Sequence, residues 1–439
     1  MMDLRSWLGF LESQNRVVIH EGPWDLTHMV ASRLTEYDGQ KTVIFRDGDR
    51  VLVGNTFNSR SELAQSIGAQ DAKALHSRYR DALAQPLVPY QSNAEDAPVL
   101  TVRESSVRLD SLPAPLHHAR DSGAYITASI AISRDPDTGI QNWSIHRLQI
   151  NDAQTLGILI LPRHLAIMVA KAEQRDEDLP VALVVGLPPG YLLASQAITP
   201  YGVDEATIAS SLLGSPIAVV PSPLYGIEVP AESEYLLEGR IIAHARDLEG
   251  PFGEFPRTYG SRSPRPVVKI DAIYHRESPI FQTILPASRE HLLLGAIPRE
   301  VAILNAMSQV SPNVEDVILT LASGCRYHAV AQITPRHAGE AKNAMLAAFA
   351  GVNEVKRVIV VDSDINIHDP EDVEWAVATR VQPDRDIVVV SGALGSALDP
   401  SATPDGVTSK WAIDATIPVG VDKARFEKIT VPSNNVVGD

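Results

Sequence analysis

The heptapeptide Leu248-Glu249-Gly250-Pro251-Phe252-Gly253-Glu254 fits neither the interior of a helix nor that of a strand. Pro251 has no backbone N–H to donate, and Gly250 and Gly253 admit dihedrals that other residues resist. The chain must bend here, and the bend holds two carboxylates at fixed places. A rigid turn carrying two acids is a way to position proton-transfer groups. Taken alone, it reads more readily as a surface turn with two solvated glutamates.

With 439 residues the chain is long enough for two or three domains with sizeable cores. The net charge of -16, with no compensating basic block, argues against a nucleic-acid binder. Cys325 is the only cysteine, which excludes an intrachain disulfide or a thiolate metal cage and fits a reducing cytoplasm. The longest uncharged stretch, Leu179 to Val203, is broken by Gly186, Pro188, Pro189 and Pro200. It reads as a buried strand and a loop rather than a membrane helix. The first residues, with Asp3, Arg5 and Glu12, do not read as a secretory signal.

Hydrophobic spacing predicts helices from Leu4 to Leu11, from Leu26 to Leu34 with Asp25 as cap, and over Ser61 to Leu83. Asp47-Gly48 marks a hairpin. These make a small N-terminal α/β domain over 1–110, with the proline-rich 112–115 as a linker. Strand patterns dominate 111–299, with a helix at His164 to Glu173 among them, and the fold expected there is a β-barrel or sandwich core. From 300 to 439, after a helix over Glu300 to Val310, strands at 317–321, 328–333, 358–361 and 387–390 alternate with helices at 339–350 and 371–378, implying an α/β layer fold. Beyond Ser391 the Gly-, Pro- and Ser-rich tail reads as irregular, with Lys410 to Thr416 packed back.

Asn142, His164 and Glu205 make a candidate divalent-metal set whose mixed N and O donors suit Mn²⁺ or Mg²⁺ better than zinc. Three unrelated polar residues are the simpler alternative. Asn142 and Arg147 differ by an odd number, so one straight strand would send them to opposite faces unless it ends or bulges between them. Arg147 lies beside Ile145 and Leu148 and needs a carboxylate partner, either Glu249 or a substrate acid. Asp362-Ser363-Asp364-Ile365-Asn366 imitates a calcium loop, but Ile367 stands where glycine is required and Val373 where glutamate is required. It reads as a strand end, with Asp369-Pro370-Glu371 opening a helix. The adjacent His117-His118 reads as linker surface. Neither a phosphate-binding glycine loop nor a nucleophile elbow is present.

In order along the chain stand Asn142-Trp143-Ser144-Ile145-His146-Arg147, Leu161-Pro162-Arg163-His164, Gly202-Val203-Asp204-Glu205, Glu228 to Glu234, and Glu249 to Glu254. This ordered set resembles the UbiD family of prenylated-FMN-dependent reversible decarboxylases, over about 125–416. The resemblance implies an α/β (α+β) chain: a small N-terminal domain, a central split β-barrel that binds flavin, and a C-terminal α/β oligomerisation domain joined by a helix. It implies that Asn142, His164 and Glu205 hold a Mn²⁺-type ion at the phosphate of prenylated FMN. It places K⁺ near Trp143, Ala194, Ser195, Ala197 and Glu205. Ser144, Ile145, His146, Arg147, Pro162, Arg163 and Lys410 complete the expected cofactor contacts.

Arg147, Glu249 and Glu254 match the family's catalytic network, in which a covalent adduct between substrate and flavin releases CO₂. The match makes Glu254 the proton donor and Glu249 the residue that holds Arg147. Such a donor needs a pKa raised above the ordinary carboxylate value. The pocket is expected to close near Leu285 to Gly295, with His291 and Leu293 facing the substrate; a helix start with leucines in the core explains that segment equally well. The expected substrate is a heteroaromatic acid of furan, pyrrole or indole type, with a cinnamate-like acid or a hydroxybenzoate as alternatives. A homodimer or larger homo-oligomer, supplied with cofactor by a flavin prenyltransferase, is implied as well. A non-catalytic assembly protein and a metal-dependent hydrolase are the competing readings.

Overall fold

The computed structural model describes residues 3–430. The chain divides into two compact units, 1–301 and 302–439. The first opens with the helix Leu4–Ser13, capped by Asp3, which buries Leu4, Trp7, Leu8 and Leu11 as their spacing predicts. A four-stranded sheet follows, in the order Val17–Glu21, Thr42–Asp47, Arg50–Gly54, Ile280–Gln282. The hairpin turns at Asp47-Gly48 as expected, and the last strand comes from far along the chain.

Four expectations for this region change. The pattern over 61–83 is two helices, Arg60–Ser66 and Ala74–Ala84, because Gly68, at φ 67°, turns the chain between them. The second helix is Met29–Glu36; Asp25 instead accepts the Thr27 and His28 N–H groups in the turn before it. Leu112 and Ala114 belong to the main core, so 112–115 is packed chain and not a linker. His117 is buried as well, with Nε2 2.8 Å from Thr283 Oγ1.

The centre of the unit is a curled nine-stranded antiparallel sheet. Its main path runs Tyr125–Ile126, Leu148–Ile150, Thr155–Ile158, Ser263–His275, Tyr235–Glu249, Leu179–Val185, Ile130–Arg134, Gln141–Ile145. Its backbone is the long pair Tyr235–Glu249 and Ser263–His275, whose register shifts at Glu238/Gly239 and again between Ile241 and Arg246. Such bulges bend a sheet and increase its twist. The helix His164–Glu173 forms where its spacing predicts. The long helix Arg289–Val310 starts well before Glu300 and carries Pro298 inside it.

The second unit holds a five-stranded sheet in the order Val314–Leu319, His328–Ile333, Arg357–Val361, Val407–Ala415, Ile387–Leu394. The helices Glu340–Gly351 and Pro370–Arg380 accompany it, the latter capped by Asp369. Asp362 and Asp364 pair with Arg380, which accounts for the calcium-like run. Within that tail the expected packing-back at Lys410 to Thr416 takes the form of Val407–Ala415, an inner strand paired on both sides. Among the described residues no helix is long and apolar enough to cross a membrane.

Gly239 sits at the first bulge, where a Cβ would fall 2.1 Å from Lys269 O. Backbone cannot swing aside, so Gly239→Ala should cost about 1–3 kcal/mol and lower the thermal midpoint. Gly9, in the first helix, has nothing within 4 Å of that position. Gly9→Ala should leave the midpoint unchanged or raise it.

Candidate active site

The strand Gln141–Ile145 ends just before His146 and Arg147, and this break resolves the parity conflict. Asn142 projects from within the strand, while Arg147 is freed to turn towards Tyr235–Glu249. Glu249 is the last residue of that strand, after which Gly250, at φ 87°, bends the chain into the short hairpin Phe252–Gly253 and Tyr259–Gly260. Both acids are therefore inside the protein: Glu249 is 0 % exposed and Glu254 9 %. The surface-turn reading is excluded.

Arg147 joins the two. Its Nε and Nη2 donate to Glu249 Oε1 and Oε2, each at 2.8 Å, and its Nη1 donates to Glu254 Oε1. The guanidinium lies 4.9 Å over the Phe252 ring, which packs against Tyr125. Burial opposes the charge on Arg147, but its bonds to Glu249 and the nearby Glu254 charge raise its pKa overall. Burial raises the pKa of Glu254, with Arg147 pulling the other way; the net direction is upward. This is the property a proton donor needs.

Three residues that sequence reasoning passed over complete this end. Tyr125 Oη donates to Glu249 Oε1 at 3.1 Å. Gln149 Oε1 accepts from Ser122 Oγ and Gly250 N at 2.7 and 2.9 Å, fastening the start of the turn, and lies 3.0 Å from Tyr125 Oη. Asp121 Oδ1 accepts from Gly253 N at 2.8 Å. Gln149, a lone polar side chain between Leu148 and Ile150, was the one visible signal.

At the other end, Glu205 is the first residue of the helix Glu205–Leu212 and His164 the first of His164–Glu173; both helices pack against Gln141–Ile145. Asn142 Nδ2 donates to Glu205 Oε1 at 3.0 Å and Trp143 N to Oε2 at 2.7 Å. Burial pushes the Glu205 pKa up to about 8. His164 is held instead by the Thr199 backbone and lies edge-on to Tyr201, and burial followed by Arg163 lowers its pKa, favouring neutral imidazole. Asn142 and Glu205 thus touch, while His164 is brought to the same strand without a hydrogen bond to either.

The remaining predicted residues fall as follows. The Trp143 ring stacks on Tyr191 of the helix Pro189–Ala194, the element that ends at Ala194 and Ser195, and Ala197 N donates back to Ala194 O at 3.0 Å. His146 Nδ1 donates to Leu159 O at 2.8 Å, so Nε2 accepts from Ser144 Oγ at 2.9 Å, and burial lowers its pKa to about 4. Ile145 ends the strand, and Pro162 and Arg163 form the exposed turn before His164. Lys410 lies in the second unit, where Nζ donates to Asn353 O at 2.7 Å. His291 Nδ1 accepts from Ala287 N at 2.9 Å, which puts the proton of the neutral ring on Nε2; Leu293 is buried.

Arg147→Met should cost about 3–5 kcal/mol at neutral pH, because it strands two buried carboxylates. Without the cation the Glu254 pKa, already raised in the fold, rises further, so the variant's stability is greatest below the unfolded value and falls as pH rises through the folded one. Denaturant unfolding at pH 5 and pH 8 should therefore show the smaller deficit at pH 5.

Comparison with known proteins follows the same lines. Residues 91–289 match the 3-octaprenyl-4-hydroxybenzoate carboxy-lyase Rift-related domain, and 292–415 match the C-terminal domain of the same family. The anhydromevalonate phosphate decarboxylase of Methanosarcina mazei is 38% identical over 436 residues, covering 98% of this chain and 100% of that protein. The UbiD-class enzyme HmfF of Pelotomaculum thermopropionicum, solved in complex with FMN, is 44% identical with a TM-score of 0.96 over 100% of this chain and 99% of its own. An evolved dimeric form of HmfF, in complex with prFMN, is 43% identical with a TM-score of 0.92 over the same shares. The ordered motifs, the fold and these matches agree: the chain belongs to the UbiD family of carboxy-lyases.

Proposed function

We propose that this carboxy-lyase decarboxylates an aromatic or heteroaromatic carboxylic acid, reversibly and without oxidation, using prenylated FMN. The observation that carries the reading is the buried Glu249–Arg147–Glu254 network, with one acid held by the cation and the other disposed to keep its proton. When bound, prenylated FMN supplies the electron sink for the pair left behind as CO₂ departs. Glu254 delivers a proton to the carbon that lost its carboxyl group, while Glu249 and Tyr125 hold Arg147 in place to orient the acid.

The residues at the far end fit the cofactor's charged group. Glu205 is buried with only neutral hydrogen-bond donors, and Asn142 turns its amide nitrogen to Glu205, leaving Oδ1 for a ligand. With the neutral His164 imidazole, these donors would hold a Mn²⁺- or Mg²⁺-type ion that offsets the flavin phosphate. Trp143 and the 194–197 turn would hold K⁺. His291 and Leu293 would face the substrate. Homodimeric or higher assembly and a flavin prenyltransferase as cofactor source belong to the same reading. A second reading, a phosphorylated acid, is favoured by the full-length likeness to the Methanosarcina mazei enzyme.

A CO₂-release panel on protein co-expressed with a flavin prenyltransferase separates these substrates. It should include heteroaromatic acids, cinnamate-like acids, hydroxybenzoates and anhydromevalonate phosphate. A colourless protein with hydrolase activity contradicts the proposal. Glu254→Gln should lower CO₂ release by at least about 10²–10⁴-fold with the flavin spectrum retained, whereas His164→Ala should lose the flavin. Because the donor is the protonated form, turnover should fall as pH rises through the raised Glu254 pKa.

A further inference from the structure

A third carboxylate lies against the acid turn, and the chemistry above does not use it. The Asp121 side chain is fully buried. Its Oδ1 accepts the Gly253 N–H at 2.8 Å and its Oδ2 the His118 N–H at 2.9 Å. The next residue, Ser122, donates its N–H to Pro251 O at 3.0 Å. The 118–122 turn is thus stitched to 251–253, immediately before Glu254. The fit leaves no slack, since a Cβ on Gly253 would fall 2.4 Å from His118 Nδ1.

The charged and titratable groups around Glu254 are Arg147, Glu249 and Asp121, with His118 beside Asp121, its Nδ1 3.6 Å from Oδ2. Arg147 is the one side-chain cation among them that pairs with Glu254, and it shares two of its three bonds with Glu249. Asp121 is held by backbone N–H groups, which steady a carboxylate without cancelling its charge. A like charge close by in a buried setting disfavours ionisation.

We infer that Asp121 is a positioning residue for Glu254: its backbone hydrogen bonds fix the turn that carries the acid, and its buried carboxylate opposes ionisation of that acid. The inference rests on Glu254 being the proton donor. The upward direction at Glu254, in which burial is the largest contribution and Asp121 a smaller one, agrees with it.

Infrared difference spectroscopy over a pH series, on the full-length holoprotein, tests it. Glu254→Gln identifies the Glu254 carboxyl band by its loss. In Asp121→Asn, which keeps a carbonyl oxygen for Gly253 N–H but no charge, that band should titrate roughly 0.5–1 pH unit lower. The high-pH limb of turnover should move with it. Asp121→Glu, which keeps the charge and disturbs the geometry, should titrate close to the parent. A Glu254 band that does not move in Asp121→Asn overturns the inference and leaves Asp121 a structural residue. The spectroscopic reading needs no substrate, so a protein that released no CO₂ would contradict the decarboxylase proposal while this test still gave its answer.

Discussion

The guanidinium of Arg147 between Glu249 and Glu254 is the contact on which the rest of the site depends. Taking a carboxylate out of water costs several kcal/mol unless its lone pairs are satisfied, and here two are buried around one cation. The three groups do not share the burden equally. Glu249 receives two guanidinium bonds and the Tyr125 hydroxyl; Glu254 takes the remaining Nη1 contact. One acid is thereby committed to holding Arg147, and the other is disposed to carry a proton. Two carboxyl groups in unlike surroundings can divide the roles of a reaction in this way.

The fold serves this division through one short strand. Gln141–Ile145 presents Asn142 to Glu205 at one end and stops in time for Arg147 to reach Glu249 and Glu254 at the other. The long bulged pair Tyr235–Glu249 and Ser263–His275 carries Glu249 to its terminus, and the turn after it is fastened by Gln149 and Asp121. The site is therefore placed by sheet ends rather than by a flexible loop, which suits groups that must stay in register with a bound cofactor.

Much of this was legible where periodicity or backbone chemistry speaks locally. The strand His328–Ile333 and the helix His164–Glu173 match their sequence patterns, and the bend after Glu249 follows from Gly250 and Pro251. Val407–Ala415 was read only as a packed-back stretch, Lys410 to Thr416, because its polar residues resemble a tail, although pairing on both sides makes it an inner strand. The helix Arg289–Val310 was read in two pieces, a helix start within 285–295 and a helix from Glu300, because Pro298 interrupts its pattern. Asp121, Tyr125 and Gln149 act through partners about a hundred or more positions away, and no spacing rule carries such contacts. The acids themselves could be named from their turn, but their burial could not.

The most direct test of the account is hydrogen isotope exchange between D₂O and the decarboxylated product, which reads the proton transfer apart from CO₂ release. The holoenzyme should place deuterium at the carbon that lost the carboxyl group, and Glu254→Gln, with its flavin bound, should not. Exchange at the parent rate in Glu254→Gln would contradict the assignment of the acid, and with it the central role of the Glu249–Arg147–Glu254 network.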